Sequence, residues 1–354
     1  MSPDSVSPNR LVMVIHGPEI FDSGEAKWLI DLLKPFRTIV AGVMARTAAE
    51  ESRLPLEFQS NPPSYVIRDL EGPVVLANRG KTPESGQIFG DIVASRLYQQ
   101  GLVQIECSSK TIFVWDGGDE ELASTLSHLM SFSLIPANST RYVNSQERKI
   151  RGCSPGEAVY VNGIIIGRAT SETVVLERKG GKINPVSGLS PKVHGLEKLA
   201  RQGPVELSRA WCKSGVIRSV LPHINSRAEK KGRIVVIDHC GHEIYRKIGN
   251  TCCGVLAIGD DTTAVSGHIL AHRGLPVLGI VDGDLDAIVK ESFASGSVVI
   301  EVCNGRDDEL GLEVATMITS SSVSWDEWVN TVLKVLGDRV KIVVDTRDQR
   351  NAMR

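Results

Sequence analysis

Residues 252–286, CCGVLAIGDDTTAVSGHILAHRGLPVLGIVDGDLD, indicate the fold of the C-terminal third of this chain. This stretch contains an apolar run, an acidic turn, a helix-like segment, a second apolar run and a second acidic turn. Strands that are apolar on both faces and alternate with helices are typical of a parallel sheet with helices on its two sides. The stretch therefore predicts a doubly wound α/β domain.

The flanking segments continue this pattern. RIVVIDH at 233–239 precedes the stretch, and SGSVVIEV at 295–302 follows it. An amphipathic helix pattern at 325–337 and a strand pattern at 340–346 complete the region. We predict a C-terminal α/β domain over residues 231–354.

The N-terminal part of the chain shows the same alternation. Apolar runs such as LVMVIH, TIVAGVMA and PVVLANR are separated by amphipathic stretches such as GEAKWLIDLLKPF and SGQIFGDIVASRLYQQ. This pattern predicts a Rossmann-like α/β domain over residues 11–148. Residues 1–10 are rich in Ser and Pro and lack an apolar run, which predicts a disordered tail and no secretory signal.

The pattern changes in the middle of the chain. Residues 156–183, GEAVYVNGIIIGRATSETVVLERKGGKI, have short β-branched runs separated by turns that contain Gly. Such runs predict antiparallel strands joined by tight turns. The residues that follow are rich in Pro, Gly, Lys and Arg. We predict a small β module with a basic connector over residues 149–230.

The composition excludes several classes of protein. Hydrophobic residues make up 42% of the chain and charged residues 23%, and no apolar run approaches the roughly 18 residues of a membrane span. We expect a soluble, cytoplasmic protein without a membrane partner. Seven cysteines without CxxC spacing predict reduced, mostly buried thiols.

The charge balance indicates the class of ligand. A net charge of -2 and an aromatic content of 5% do not favour nucleic acid, which attracts basic and aromatic surfaces. A small phosphorylated molecule or a nucleotide is the expected partner, and a protein partner stays open.

Two acidic turns are the best candidate site. Each follows an apolar run, and ligands of open α/β sheets bind outside the carboxyl ends of the strands. Carboxylates that meet there repel one another unless a cation or a proton neutralises them, and oxygen ligands suit Mg²⁺ bound with a phosphate. The predicted Mg²⁺ ligands are Asp260, Asp261, Asp282, Asp284 and Asp286.

These aspartates also have interpretations without a ligand. Asp260 or Asp261 is placed to cap the helix that follows, because Asp is a favoured N-cap residue. The DGDLD run at 282–286 has the composition of a solvated turn or an Asx-turn. The sequence leaves these alternatives open.

The last third of the chain resembles the Toprim fold of topoisomerases, primases and small nucleases. In that resemblance Asp238 or Glu243 stands for the first acidic residue, and Asp282 with Asp284 stands for the DxD pair. The Toprim pattern usually places Glu directly in the first strand–helix turn, whereas this chain has IDHCGHE at 237–243.

The IDHCGHE segment supplies further candidate residues. His239, His242 and Glu243 are the predicted catalytic acid–base groups, because an imidazole titrates near neutral pH. Imidazole, thiolate and carboxylate groups also bind transition metals, although the spacing is neither HExxH nor CxxC. A structural role for one His and a buried Cys is the alternative.

Two loops of the first domain and one basic segment complete the set of candidates. HGPEIFDSG at 16–24 and NRGKTPESG at 78–86 lead into helices whose amides favour anions, so His16, Lys81 and Glu84 are predicted to bind a cofactor. Gly and Pro turns give both loops an ordinary alternative. PKVHGLEKLARQG at 191–203 is either an anion clamp or a solvated face.

Several of these motifs occur together in one known family. HGPEIFDSG, VMARTA, NRGKTPESG, PKVHGLEKL, GDDTTA and DGDLD resemble an uncharacterised family of archaeal proteins found mainly in methanogens. The resemblance implies an archaeal cytoplasmic setting and possible service to methanogen cofactor metabolism, and it transfers no catalytic residue. We expect a Mg²⁺-dependent enzyme that transfers or hydrolyses a phosphate ester or nucleotide. The alternative is a non-catalytic accessory or ligand-binding protein.

Overall fold

The structure is a computed structural model that describes residues 10–98, 100–140, 146–201, 203–207, 210, 212–215, 218–226, 231–282, 292–319 and 321–347. For His242 it describes the backbone and not the side chain. Residues 1–9 of the predicted tail, and the predicted ligands Asp284 and Asp286, lie outside the described residues.

The chain divides into two compact units that interleave along the sequence. The first comprises Met1–Glu157, Ala169–Leu189 and Ser214–Ser219, and the second comprises Ala158–Arg168, Ser190–Lys213 and Val220–Arg354. Strands of the predicted β module therefore belong to both units.

The first unit begins with alternating strands and helices. Its strands are β1 (Val12–His16), β2 (Arg37–Ala41), β3 (Glu57–Gln59), β4 (Val74–Asn78), β5 (Leu102–Glu106), β6 (Thr111–Trp115) and β7 (Ser133–Ala137). Its helices are α1 (Glu19–Asp22), α2 (Glu25–Leu33), α3 (Val43–Ser52), α4 (Pro63–Arg68), α5 (Pro83–Ala94) and α6 (Glu120–Met130).

These strands form one sheet in the order β3-β2-β1-β4-β5-β6-β7. Strands β3, β2, β1, β4 and β5 run parallel to one another, and β6 runs antiparallel to β5. Met13 and Ile15 pack in one apolar core and Val12 and Val14 in another, because successive side chains of a strand point to opposite faces. A sheet buried on both faces explains the uninterrupted apolar run of β1.

The middle of the chain forms shorter strands. They are β8 (Glu147–Arg151), β9 (Ala158–Val161), β10 (Ile164–Ala169), β11 (Thr173–Lys179), β12 (Lys182–Ser187), β13 (Leu189–Pro191) and β14 (Cys212–Ser214), with helix α7 (Val193–Arg201). Their sheets have the orders β12-β11-β8 and β13-β10-β9-β14. The β9–β10 hairpin turns at Asn162 and Gly163, both at positive φ, as a tight hairpin turn requires.

The second unit contains residues 252–286 and the segments that flank them. Its remaining elements are β15 (Lys231–Asp238), α8 (Ile244–Lys247), β16 (Cys252–Ile258), α9 (Asp260–Ala271), β17 (Val277–Val281), β18 (Val298–Val302), α10 (Asp307–Thr316), β19 (Val323–Ser324), α11 (Trp325–Leu336) and β20 (Val340–Asp345). Short 3-10 helices lie at Gly241–Glu243 and Gly337–Arg339.

The sheet of the second unit has the order β19-β15-β16-β17-β18-β20. The four strands from β15 to β18 are parallel, and β19 and β20 pair antiparallel at the two edges. Helix α11 packs one face on this sheet and buries Trp325, Trp328, Val329, Val332 and Leu336. That spacing of three and four residues is the amphipathic pattern predicted for 325–337.

The predicted mixed α/β class, with parallel sheets and a smaller antiparallel part, is confirmed. The finer Rossmann-like and Toprim-like assignments and the predicted domain boundaries stay predictions. The cysteines are free thiols, four of them buried, as expected. Among the described residues, the helices are too short or too polar to cross a membrane.

Candidate metal centre

The parallel strands of the second unit end at one edge of the sheet. Asp238 at the end of β15 pairs with Ile258 at the end of β16, and Ile258 pairs with Ile280 near the end of β17. The loops after these strands therefore open at the same edge, as the carboxyl ends of parallel strands do. This edge carries Asp260 after β16 and Asp282 after β17.

Three aspartates converge there. Asp260, Asp282 and Asp307 each offer one carboxylate oxygen, and these three oxygens lie within 4.8 Å of one another. Asp307 comes from the first turn of α10, which follows β18. Asp307 is fully buried and Asp260 is 5% exposed, so water screens their repulsion poorly.

Protonation relieves part of this repulsion. Burial raises the pKa of Asp260 to about 8, and the hydrogen bond to Asp282 and the negative charge of Asp282 act in the same direction. Burial opposes ionisation of Asp282 as well, but the hydrogen bond from Asp260 and the positive charge of Lys198 hold its pKa below the usual value. At neutral pH the pair therefore shares one proton.

Basic side chains of α7 and of the residue before it face this group. Lys198 Nζ lies 2.9 Å from Asp307 Oδ2 and 3.7 Å from Asp282 Oδ2, and its side chain is 9% exposed. His194 Nε2 lies 3.3 Å from Asp282 Oδ2. Burial alone lowers the pKa of Lys198, but the neighbouring carboxylates outweigh burial and raise it. Lys192 lines the same cleft.

The donor set fits a bound divalent cation. Asp260 Oδ1 is buried and has no hydrogen-bond partner among the residues the structure describes. A buried polar oxygen without a partner is costly, and functional sites are where such groups persist. Carboxylate oxygens from three segments of the chain are the ligands that Mg²⁺ prefers.

The helix-capping interpretation of Asp260 and Asp261 is wrong. Helix α9 begins at Asp260, and its N-cap is Gly259, which has φ +101° and no side chain to cap the helix. Asp261 Oδ2 instead accepts the backbone N–H of Ile165 in β10 at 2.9 Å. Asp261 thus contacts the β9–β10 hairpin and is not one of the three converging carboxylates.

A cleft adjoins the three aspartates, and Asp260 is part of its lining. Helix α7 packs closely against β10 at Gly195. A Cβ at this position would lie 2.0 Å from the Ile165 carbonyl oxygen, so a larger residue would not fit. The described lining residues are Gly163, Ile164, Ile165, Lys192, His194, Gly195, Lys198, His239, Gly259, Asp260, Asp261 and Thr262. The amides at the start of α9 and four basic side chains make the lining suited to an anion.

The predicted acid–base residues are placed differently from one another. His239 follows β15 and lines the cleft. Glu243 lies 3.9 Å from Arg246 in a partly exposed ion pair and is not among the described lining residues. The side chain of His242 lies outside the described part of the chain.

Two of the three residues predicted to bind a cofactor in the first unit have protein partners. His16 Nδ1 lies 2.8 Å from the Ala41 carbonyl oxygen, and its ring stacks on Phe89. Lys81 Nζ pairs with Glu157 at 3.1 Å. Glu84 is exposed in the first turn of α5. These three assignments stay predictions.

Sequence reasoning missed two main members of the site. Asp307 and its neighbour Asp308 follow β18 as an acidic pair, the same signal that drew attention to residues 260 and 261. Lys198 lies in the basic segment that was assigned either to an anion clamp or to a solvated face. Its burial and its pairing with Asp307 exclude the solvated face for this residue.

Comparisons with known proteins identify the family of this chain. Residues 13–322 match the family described as "Uncharacterized protein conserved in archaea (DUF2117)", and the chain belongs to it. A curated relative, "Uncharacterized protein MJ0065" of Methanocaldococcus jannaschii, is 33% identical over 93% of this chain and 97% of its own length. No solved structure matches the chain. The archaeal resemblance inferred from the motifs is confirmed, and the Toprim resemblance stays a prediction.

Proposed function

We propose that this member of the archaeal family is a Mg²⁺-dependent enzyme that transfers or hydrolyses the phosphate group of a small phosphate ester or nucleotide. One observation carries the proposal: three carboxylates from different segments of the chain converge at a cleft, and the buried Asp260 has an oxygen without a hydrogen-bond partner among the described residues. Asp260, Asp282 and Asp307 would hold the ion. A bound Mg²⁺ neutralises the charge that develops on a transferring phosphoryl group.

The side chains around the acidic group supply the anion-binding part of the site. Lys192 and His194 line the cleft beside Asp282, where they would bind phosphate oxygens. Lys198 remains protonated between Asp282 and Asp307 and would stabilise negative charge on the substrate. The cleft is small and adjoins apolar Ile164 and Ile165, which suits a compact phosphorylated molecule.

Calorimetric titration with Mg²⁺ tests the first half of the proposal. Wild-type protein should bind the ion, and Asp282→Asn should weaken binding at least about tenfold because one of three ligands loses its charge. Glu313→Gln is the matched control, since Glu313 is an exposed residue of the same unit that pairs with Arg339. Equal Mg²⁺ affinity in wild type and Asp282→Asn would refute the metal site.

Phosphate release from a panel of phosphomonoesters and nucleotides tests the second half. At least one substrate should be turned over with Mg²⁺ and not with excess chelator, and Lys192→Met should raise its KM more than it lowers kcat. Binding of Mg²⁺ and inorganic phosphate without turnover of any substrate would instead favour the non-catalytic ligand-binding alternative.

A further inference from the structure

A second group of metal-type ligands lies in the second unit. Asp238, His239 and Asp308 each offer one ligand atom, and these three atoms lie within 4.8 Å of one another. We propose that this group is a second divalent-cation site, specific for a transition-metal ion, so that the cleft takes two ions. The binding of this ion is independent of the proposed function, and only its use in phosphoryl chemistry rests on it.

The two groups share one turn of helix. Asp307 and Asp308 are consecutive residues in the first turn of α10, and each belongs to a different group. Asp307 faces Lys198, while Asp308 Oδ1 lies 3.4 Å from His239 Nε2. One helix N-terminus therefore supplies a carboxylate to each group.

The imidazole of His239 also connects the second group with the first. Its Nδ1 lies 2.5 Å from Asp238 Oδ1, which fixes the orientation of the ring. Its Nε2 faces Gly259, where a Cβ would lie only 2.8 Å from that nitrogen. Gly259 precedes Asp260, so the ring lies against the backbone that carries the ligand with the unpartnered oxygen.

Helix α7 places one positively charged side chain against the acidic residues of each group. Lys198 contacts Asp307, and Arg201, three residues later, donates from Nη1 to Asp308 Oδ2 at 2.9 Å. This contact leaves Asp308 Oδ1 on the side of His239. Arg201 thus offsets the charge of Asp308. The hydrogen bond from His239, together with the charges of Lys247 and Lys198, lowers the pKa of Asp238.

The ligand types distinguish the two sites. The first group offers carboxylate oxygens, which suit Mg²⁺, whereas the second includes an imidazole nitrogen, which favours ions such as Mn²⁺ and Zn²⁺. In this proposal His239 is a metal ligand and does not have the acid–base role that the sequence suggested. Two ions in one cleft would stabilise the attacking and the leaving oxygen of a phosphoryl group together.

Metal stoichiometry after loading with Mn²⁺ tests the second site. Wild type should hold two ions per chain after desalting, and His239→Gly should hold one, because its affinity at the second site falls at least about tenfold. Glycine suits this position since His239 has φ +49°, where other residues are strained. His239→Asn is the second variant, since Asn also tolerates this conformation, and His128→Ala on the exposed face of α6 is the control.

Each outcome of this experiment separates the two proposals. Asp282→Asn should also hold one ion, and the double variant Asp282→Asn with His239→Gly should hold none. A stoichiometry of one that falls to zero in Asp282→Asn and is unchanged in His239→Gly would refute the second site and leave the first. Two ions in folded His239→Gly and folded His239→Asn would likewise refute it, with folding checked by the melting temperature.

Discussion

Two buried carboxyl groups occupy similar places in the two units, each at the carboxyl end of a parallel strand. Glu106 ends β5 and is fully buried, and it accepts hydrogen bonds from the amides of Gly80, Ser108 and Ser109 and from both serine hydroxyls. Asp260 follows β16 and is almost as buried, yet one of its oxygens has no partner in the described chain. Burial alone therefore does not mark a ligand site.

The difference lies in what neutralises each charge. The loops around Glu106 fold so that their donors surround it, and the carboxylate in turn fixes those loops. The neighbours of Asp260 include two further carboxyl groups, so its charge is tolerated only with a proton, with Lys198 nearby or with a cation. We expect a substitution at Glu106 to lower the stability of the fold and a substitution at Asp260 not to lower it.

The largest effect is expected from removing the carboxyl group of Glu106, with Asp260→Asn as the contrasting substitution. Glu106→Ala should lower the free energy of unfolding by about 3–5 kcal/mol, because it leaves several buried donors without an acceptor. Asp260→Asn should leave stability unchanged or raise it at pH 9 without metal, since it removes a repelled charge. Urea unfolding measures both. Equal destabilisation by the two substitutions would contradict the comparison.

The next largest effect concerns Lys198. Lys198→Met should lower the free energy of unfolding by about 3 kcal/mol in the presence of chelator, because Asp307 becomes a buried charge without its main counter-ion. Saturating Mg²⁺ should recover more stability in this variant than in wild type. Thermal melting with and without Mg²⁺ measures the difference, and Lys27→Met, which breaks an exposed ion pair, is the control. A Mg²⁺ effect equal in both proteins would show that the ion binds elsewhere.

A smaller effect is expected from pH. The folded protein binds the proton of Asp260 up to a pKa of about 8, whereas the unfolded chain releases it near 4. The stability from this group is therefore complete below pH 4 and is lost as the pH rises towards and through 8. We expect a loss of about 2 kcal/mol between pH 6.5 and 8.5 in chelator, and Asp260→Asn should remove this slope. An equal slope in the variant would assign it to another group.

The smallest effect is expected at the predicted cofactor residue Lys81. Its ion pair with Glu157 is partly exposed, so Lys81→Ala should change the free energy of unfolding by less than about 1 kcal/mol. Inorganic phosphate should shift the melting temperature of this variant as much as that of wild type. A lost phosphate effect in Lys81→Ala, with the effect intact in Lys192→Met, would place the anion site in the first unit.

The order of elements was largely predictable. The apolar runs of LVMVIH and CCGVLAI correspond to β1 and β16, because a strand buried on both faces tolerates few polar residues. The predicted helix at 325–337 corresponds to α11, because its apolar residues recur every three or four positions and form one buried face. The division of the middle strands between the two units was not predictable, since pairing partners are set by packing and not by local pattern.

The α/β class, the family and the acidic turns after strands follow from the sequence, because they depend on local periodicity and motif content. The identity of the carboxylates that meet follows from the tertiary fold alone. In the folded chain Asp260 and Asp282 lie close to Asp307, and Asp261 accepts a hydrogen bond from the amide of Ile165. Lys198 is buried beside Asp282 and Asp307. The physical reason is that a charge is tuned by neighbours within a few ångströms, and those neighbours come from strands and helices far apart in the chain.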